Sequence, residues 1–166
     1  MMEPFSAGRY VCELPYGRNL RPADPQVVLQ EQKGTCSTKH ALMRRLAIEQ
    51  NFELSLMLGI YLMTGSNTRG VGEVLARHRL EGLPETHCYL RTGATRIDLT
   101  RRGNDRGSHS LSFLHEEEID PNQITQYKAG VHRNFLEHWI AQSALSGFTL
   151  TDIWKIREEC IAALSG

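Results

Sequence analysis

A mixed α+β fold is predicted by three features of the 166-residue chain. Leu54 to Met63 is almost continuously apolar and bounded by polar and glycine-rich sequence, which marks a central buried strand; Gly59 and the short length count against the competing buried helix. His87–Arg91 and Arg96–Thr100 flank Gly93-Ala94, and glycine in the first central position suits a type II′ hairpin between two short strands. Helical periodicity over Ser37–Gln50, and again after Asp120, supplies the helices.

Residues 1–23, rich in Pro, Gly and Arg and without a period, are expected to form an irregular arm packed across the domain. Asp24-Pro25 is a cap followed by proline at the first helical position, so a short helix over Pro25–Glu31 is expected to turn Val27, Val28 and Leu29 inward. The Gln32-Lys33-Gly34 loop then leads into the helix that Cys36 opens. In it Ala41, Leu42, Leu46, Ala47 and Ile48 form one buried side, with Arg44, Arg45 and Glu49 between them. Gly70–Leu80 reads as a short helix ended by Gly82-Leu83-Pro84. Beyond the hairpin come a polar loop over Arg101–His109, a strand over Leu111–Leu114, and Glu116-Glu117-Glu118, read as a solvated acidic patch. Asp120-Pro121, with Gln123 as the far member of a capping box, opens a long helix with Ile124, Tyr127, Val131, Phe135, Leu136 and Trp139 on its apolar side. A last helix starts near Thr149 or Thr151 and buries Ile153, Trp154, Ile156, Ile161 and Leu164. The whole, residues 1–166, suits one domain, with 120–166 as a C-terminal helical extension.

Charge and composition narrow the function classes. Lys+Arg and Asp+Glu both number 19, so no global field draws the protein to nucleic acid or anionic membrane. The local cluster Arg96, Arg101, Arg102 and Arg106 reads as a solvated loop rim able to steer an acidic substrate. Met1–Tyr10 lacks a basic region followed by an apolar core, and no apolar run is long enough to span a bilayer, so a soluble cytoplasmic protein without membrane partners is expected. Cys12, Cys36, Cys88 and Cys160 are then reduced thiols, with Cys12, Cys88 and Cys160 structural.

The chemistry concentrates at Gly34-Thr35-Cys36-Ser37-Thr38-Lys39-His40, where a glycine-containing loop runs into a helix. Unpaired N–H groups and the positive end of the macrodipole favour thiolate over thiol there. With a two-residue turn at Gly93-Ala94, Arg91 lies opposite Arg96, and His87 and Asp98 become diagonal neighbours on one face, with Cβ atoms roughly 7 Å apart. Tyr89 shares that face, while Cys88, Leu90, Ile97 and Leu99 point to the core. Cys36 is therefore the candidate nucleophile, His87 the base and Asp98 its orienter. The Cys36 N–H faces the developing oxyanion, and Gln30 or Gln32 is the candidate second donor. His40 and Tyr89 are candidates for lining the cleft. A metal site of Cys36, His40 and His87 is the competing arrangement, but three ligands fall short of a structural zinc, so no metal or other cofactor is expected. His109, His115, His132 and His138 form no cluster in the sequence.

At Gly34-Thr35-Cys36, His87-Cys88-Tyr89 and Ile97-Asp98-Leu99 the chain resembles the transglutaminase-like superfamily of Cys-His-Asp enzymes, especially its small bacterial members. The resemblance covers roughly residues 24–100. It implies a papain-like α+β core with the nucleophile helix packed on an antiparallel sheet that supplies histidine and aspartate, and the roles of Cys36, His87 and Asp98 carry over. Animal-type members usually have tryptophan after the cysteine, Ala-Trp after the histidine and often proline after the aspartate; Ser37, Cys88-Tyr89 and Leu99 stand here instead, which counts against protein cross-linking. No calcium loop of recognisable spacing is present. The expected activity is hydrolysis or acyl transfer on a peptide or small acyl substrate (amide, isopeptide, ester or thioester), with water or an amine as acceptor. The alternative is a non-catalytic module of the same fold that binds a peptide or protein in the same cleft.

Overall fold

The computed structural model describes residues 4–102, 111–143, 145 and 147–164. Ten named elements follow in chain order: α1 (Pro4–Glu13), α2 (Val27–Glu31), α3 (Cys36–Glu49), β1 (Ser55–Met63), α4 (Gly72–Arg77), β2 (Leu83–Thr92), β3 (Thr95–Ile97), β4 (Phe113–Glu118), α5 (Gln126–Gln142) and α6 (Leu150–Leu164). The strands form one antiparallel sheet in the order β3-β2-β1-β4, an α+β fold in which α3 packs on the sheet and α5 and α6 extend it at the C-terminus.

The apolar run is β1, and its interior place between β2 and β4 explains why both of its faces are apolar. Leu56 and Leu58 of β1, with Cys88 and Leu90 of β2, meet Ala41, Met43 and Ala47 of α3 and Ala7 and Val11 of α1 in one core. A second core joins Tyr61, Met63 and Leu83 to Val74 and Leu75 of α4, Leu136 of α5 and Ile153, Ile156 and Cys160 of α6. Each fully buried leucine contributes about 1.5–3 kcal/mol, so the sheet-facing residues, rather than helix propensity, hold α3 in place.

The hairpin register is the one the two-residue turn requires: Arg91 pairs with Arg96 and Leu90 with Ile97. Gly93 takes φ +56 while Ala94 keeps an ordinary negative φ, as in a type II′ turn. The strands differ in length from the expectation: β2 extends back to Leu83, and β3 ends at Ile97, before Asp98. Gly59 of β1 has a steric role, because a Cβ there would meet the Phe113 ring at 2.4 Å. The missing side chain lets Phe113 stack on Tyr89, ring centroids 5.0 Å apart.

Several expectations are corrected. The arm is not irregular over Pro4–Glu13 but helical, because Ala7 and Val11, four residues apart, reach the core beside α3. Leu29 and Ile48 point outward, 47% and 50% exposed, since the five-residue α2 and the last turn of α3 present only one side to the core. The strand expected over Leu111–Leu114 begins at Phe113 and runs through the acidic triplet; at the sheet edge, next to β1 alone, carboxylates are tolerated in a strand. The Asp120/Gln123 capping box is present but opens a 3-10 turn, Pro121–Gln123, and α5 begins three residues later. Tyr127 is 43% exposed, with its hydroxyl on Glu117. Most of the polar loop expected over Arg101–His109, including Arg106, lies outside the described residues.

Candidate active site

The site is built on the first turn of α3. Thr35 caps it: the Thr35 hydroxyl accepts from the Thr38 N–H at 3.3 Å, and the Thr38 hydroxyl accepts from the Thr35 N–H at 3.0 Å. Each following side chain is then tied to a different segment. Ser37 reaches β2 and α5; the Thr38 hydroxyl donates to Asn19 Oδ1 at 2.8 Å; Lys39 Nζ donates to the carbonyls of Leu14 and Thr100 at 2.6 and 2.8 Å; and His40 Nε2 accepts the Leu99 N–H at 2.7 Å. Ser37, Thr38, Lys39 and His40 are all buried. Burial of a lysine is costly unless its hydrogen bonds are met, and here they pin both the N-terminal segment and the Asp98–Thr100 segment after β3 to α3.

Gly34 fits this loop by having no side chain. A Cβ there would lie 2.9 Å from Thr38 Oγ1 and 3.0 Å from both Lys39 Cγ and Val28 Cγ2. Its N–H donates to Pro15 O and its carbonyl accepts from the Gly17 N–H, both at 3.1 Å, which lays Tyr16 beside the approach to Cys36.

His87 Nε2 is 2.7 Å from Asp98 Oδ2, while Asp98 Oδ1 accepts the N–H and hydroxyl of Thr100 at 2.9 and 2.6 Å. Burial disfavours the Asp98 charge, but these bonds, His87 above all, outweigh it and hold the carboxyl well below its ordinary range. Burial likewise opposes charge on His87, yet the bonds to Asp98 and Cys36 push it up to about 10. His40 lies on the far side of the carboxylate, its Nε2 3.7 Å from Asp98 Oδ1. Because that nitrogen accepts the Leu99 N–H it carries no proton, and burial, the dominant cause, keeps His40 neutral. Its Nδ1, which bears the proton, is left to the backbone of Cys36 one turn back and makes no full hydrogen bond.

Cys36 reaches two neighbouring strand residues that point to opposite faces. β3 pairs only with Leu90–Thr92, so among the described residues no strand lies beside the rest of β2 on that side, and the sheet leaves His87 and Cys88 at an open edge. Cys36 stands close enough to Cys88 and His87 for both to act on its thiol. The Cys88 bond is the largest cause that pushes the Cys36 thiol well below its ordinary value; burial opposes it, and the charges of Lys128 and His87 add to it. The helix N-terminus works in the same direction. Cys88 moves well upward, because it donates to that thiolate and is itself buried. A cysteine thus stands beside a histidine–aspartate pair in an arrangement compatible with a Cys-His-Asp triad.

Other expected site residues are placed differently. Gln32 is engaged by Tyr10 and by the Leu29 carbonyl, and Gln30 by Arg21, so neither amide bonds at Cys36. Tyr89 shares the His87 face, its ring nearly parallel at 6.4 Å, but is fully buried, with its hydroxyl donating to Glu116. His40 is a buried partner of the Asp98 segment rather than a cleft wall. Among the described residues no group of three His, Cys, Asp or Glu side chains is arranged to hold a metal ion.

Lys128 and Ser37 join the site without a role that the sequence by itself assigns them. Lys128 Nζ donates to Ser37 Oγ at 2.6 Å, and that hydroxyl donates to Cys88 Sγ at 3.6 Å. Burial works against the Lys128 charge, but the negative charge shared by the Cys36–Cys88 pair, with Glu85 adding to it, holds it above the ordinary lysine value. A signal existed: Lys128 falls four residues after Ile124 and three before Val131, a cation within the apolar side of α5.

Comparison with protein-family models, with curated proteins and with solved structures finds no match. Among the described residues no helix is long and apolar enough to cross a membrane.

Proposed function

We propose that the protein is a thiol-dependent acyl-transfer enzyme of transglutaminase-like type, which hydrolyses an amide, ester or thioester of a peptide or small molecule through an acyl-Cys36 intermediate. The observation that carries this reading is His87, bonded through Nε2 to Asp98 and near enough to Cys36 that each shifts the other's titration. Asp98 fixes the ring so that Nδ1 is the nitrogen available to the thiol.

The Cys36 thiolate adds to the acyl carbon and forms the C–S bond. The tetrahedral oxyanion collapses, the bond to the leaving group breaks, and that group takes the proton from His87. Water or an amine then gives a proton to His87 as it attacks the thioester, and the acid or new amide leaves as the Cys36 thiolate and His87 imidazolium re-form. The Cys36 N–H at the helix start is positioned as one oxyanion donor. The four cysteines are unpaired thiols, as a reducing compartment such as the cytoplasm would keep them.

The test is intact-mass spectrometry after exposure to a panel of activated esters and thioesters. A stoichiometric acyl adduct that maps to Cys36, is absent in Cys36→Ala and is released with time is the expected result. No adduct, with Cys36→Ala retaining whatever peptide binding is found, would favour the binding module instead.

A further inference from the structure

Lys128 is a half-buried cation next to the nucleophile, held to the protein by a single side-chain hydrogen bond among the described residues. Among the described residues its ammonium has one hydrogen-bond partner, the Ser37 hydroxyl at 2.6 Å, and no carboxylate within ion-pair distance. Two of its three N–H groups are therefore uncommitted to protein. The nearby acid Glu85 is taken up by Arg157, with contacts of 2.8 and 3.1 Å, and by Thr86. The negative neighbour of Lys128 that is not already ion-paired is the Cys36 thiolate: Cys36 Sγ lies 3.9 Å from the same Ser37 oxygen, whereas Glu85 serves Arg157.

That balance fails once Cys36 is acylated. A thioester sulfur is neutral, so Lys128 then faces the acyl group with only Glu85, already paired with Arg157, as a negative neighbour, in a setting where an under-compensated charge is costly. The cost disappears when the acyl group brings its own negative charge. The surroundings agree: Tyr16, beside the Cys36 loop, has Lys128 and Arg101 as cationic neighbours, and the Arg101 guanidinium lies 4.6 Å from the centre of its ring.

We infer that Lys128 is an anion-binding residue of the acyl site, and that the acyl donor carries a permanent carboxylate, or an equivalent anionic oxygen, one or two bonds from the carbon that Cys36 attacks. This rests on Cys36 acting as the nucleophile. It gives the site a substrate class: anionic acyl groups are preferred over neutral ones of the same size.

The probes are iodoacetate and iodoacetamide. Both alkylate a thiolate by forming the C–S bond with loss of iodide, and they differ in whether a carboxylate or an amide hangs from the attacked carbon. The ratio of their rate constants at Cys36 cancels the thiolate fraction, and it is compared with the ratio for free glutathione. In the wild type the ratio is expected to exceed the glutathione ratio at least tenfold and to shrink with added salt. In Lys128→Gln it should fall to the glutathione value, and in Lys128→Arg it should be partly kept. A wild-type ratio equal to that of glutathione overturns the inference even if the variants do not fold, as does a raised ratio that survives in folded Lys128→Gln. Alkylation passes through no oxyanion, so a residue serving only the tetrahedral oxyanion would leave the ratio at the glutathione value while slowing acylation by neutral esters in Lys128→Gln, and that result also overturns the inference. Failure of Cys36 to react with either reagent overturns the nucleophile itself, and this inference with it.

Discussion

His87 Nε2 bonds Asp98 Oδ2 at 2.7 Å, and this contact decides which ring nitrogen is left free for Cys36. With Nε2 committed to the carboxylate, Nδ1 is the nitrogen left for Cys36, and in the proposed mechanism proton exchange runs through it. An amide in place of the carboxylate offers the ring no charge and can present an N–H where an acceptor is needed. Asp98→Asn is therefore expected to slow acylation of Cys36 by an activated ester by about two to four orders of magnitude while the protein stays folded. Stopped-flow acylation rates check this.

His40 holds Asp98 in place without sharing its charge. Its Nε2 accepts the N–H of Leu99, the residue after the aspartate. His40→Ala orphans that N–H and opens a buried space, a loss of about 1–3 kcal/mol from the unsatisfied donor alone. Denaturant midpoints should fall, and alkylation of Cys36 should slow as Asp98 loses its support. A variant with unchanged stability would contradict this role.

Cys88 supplies the hydrogen bond that contributes most to lowering the Cys36 thiol. In Cys88→Ala the donor is lost while most of the apolar contact is kept. The onset of Cys36 alkylation is expected to move to higher pH, so that the rate below neutral pH drops several-fold and the rate in strong base is unchanged. Mass-spectrometric alkylation rates at a series of pH values read the shift.

The same charges make stability depend on pH. His87 is raised from 6.5 in the unfolded chain to about 10 in the folded protein, so its contribution is fully present below 6.5 and is lost as pH climbs through 10. Asp98 is lowered, so its contribution is present above its unfolded value of 3.8 and is lost on acidification. The urea-midpoint gap between wild type and His87→Gln should be constant from about pH 5 to 6.5 and close by about pH 10.

Much of this site is legible in the sequence, and the illegible part has a common cause. β1 announces itself because an interior strand is apolar on both faces. The Gly93-Ala94 turn fixes the parity of the hairpin and so brings His87 and Asp98 together. Polar residues in the first turn of α3 give no such signal. Thr38, Lys39 and His40 resemble a solvated helix start, and only the arrival of Asn19, Leu14, Thr100 and Leu99 turns them inward. Lys128 comes to Ser37 from 91 residues along the chain, through packing that no local pattern encodes. The adjacency of Cys36, at the start of α3, to both His87 and Cys88 is a tertiary feature beside the open edge of β2, whereas strand alternation by itself would separate the two residues.

The account rests on a thiolate–imidazolium pair between Cys36 and His87. The most direct measurement is the alkylation rate of each cysteine against pH, resolved by mass spectrometry, in the wild type and in His87→Ala. Cys36 is expected to react fast below neutral pH and to lose that reactivity in His87→Ala, with its midpoint moving toward the roughly 8.5 of a free thiol. A Cys36 that titrates like a free thiol in the wild type, or is indifferent to His87→Ala, would contradict it.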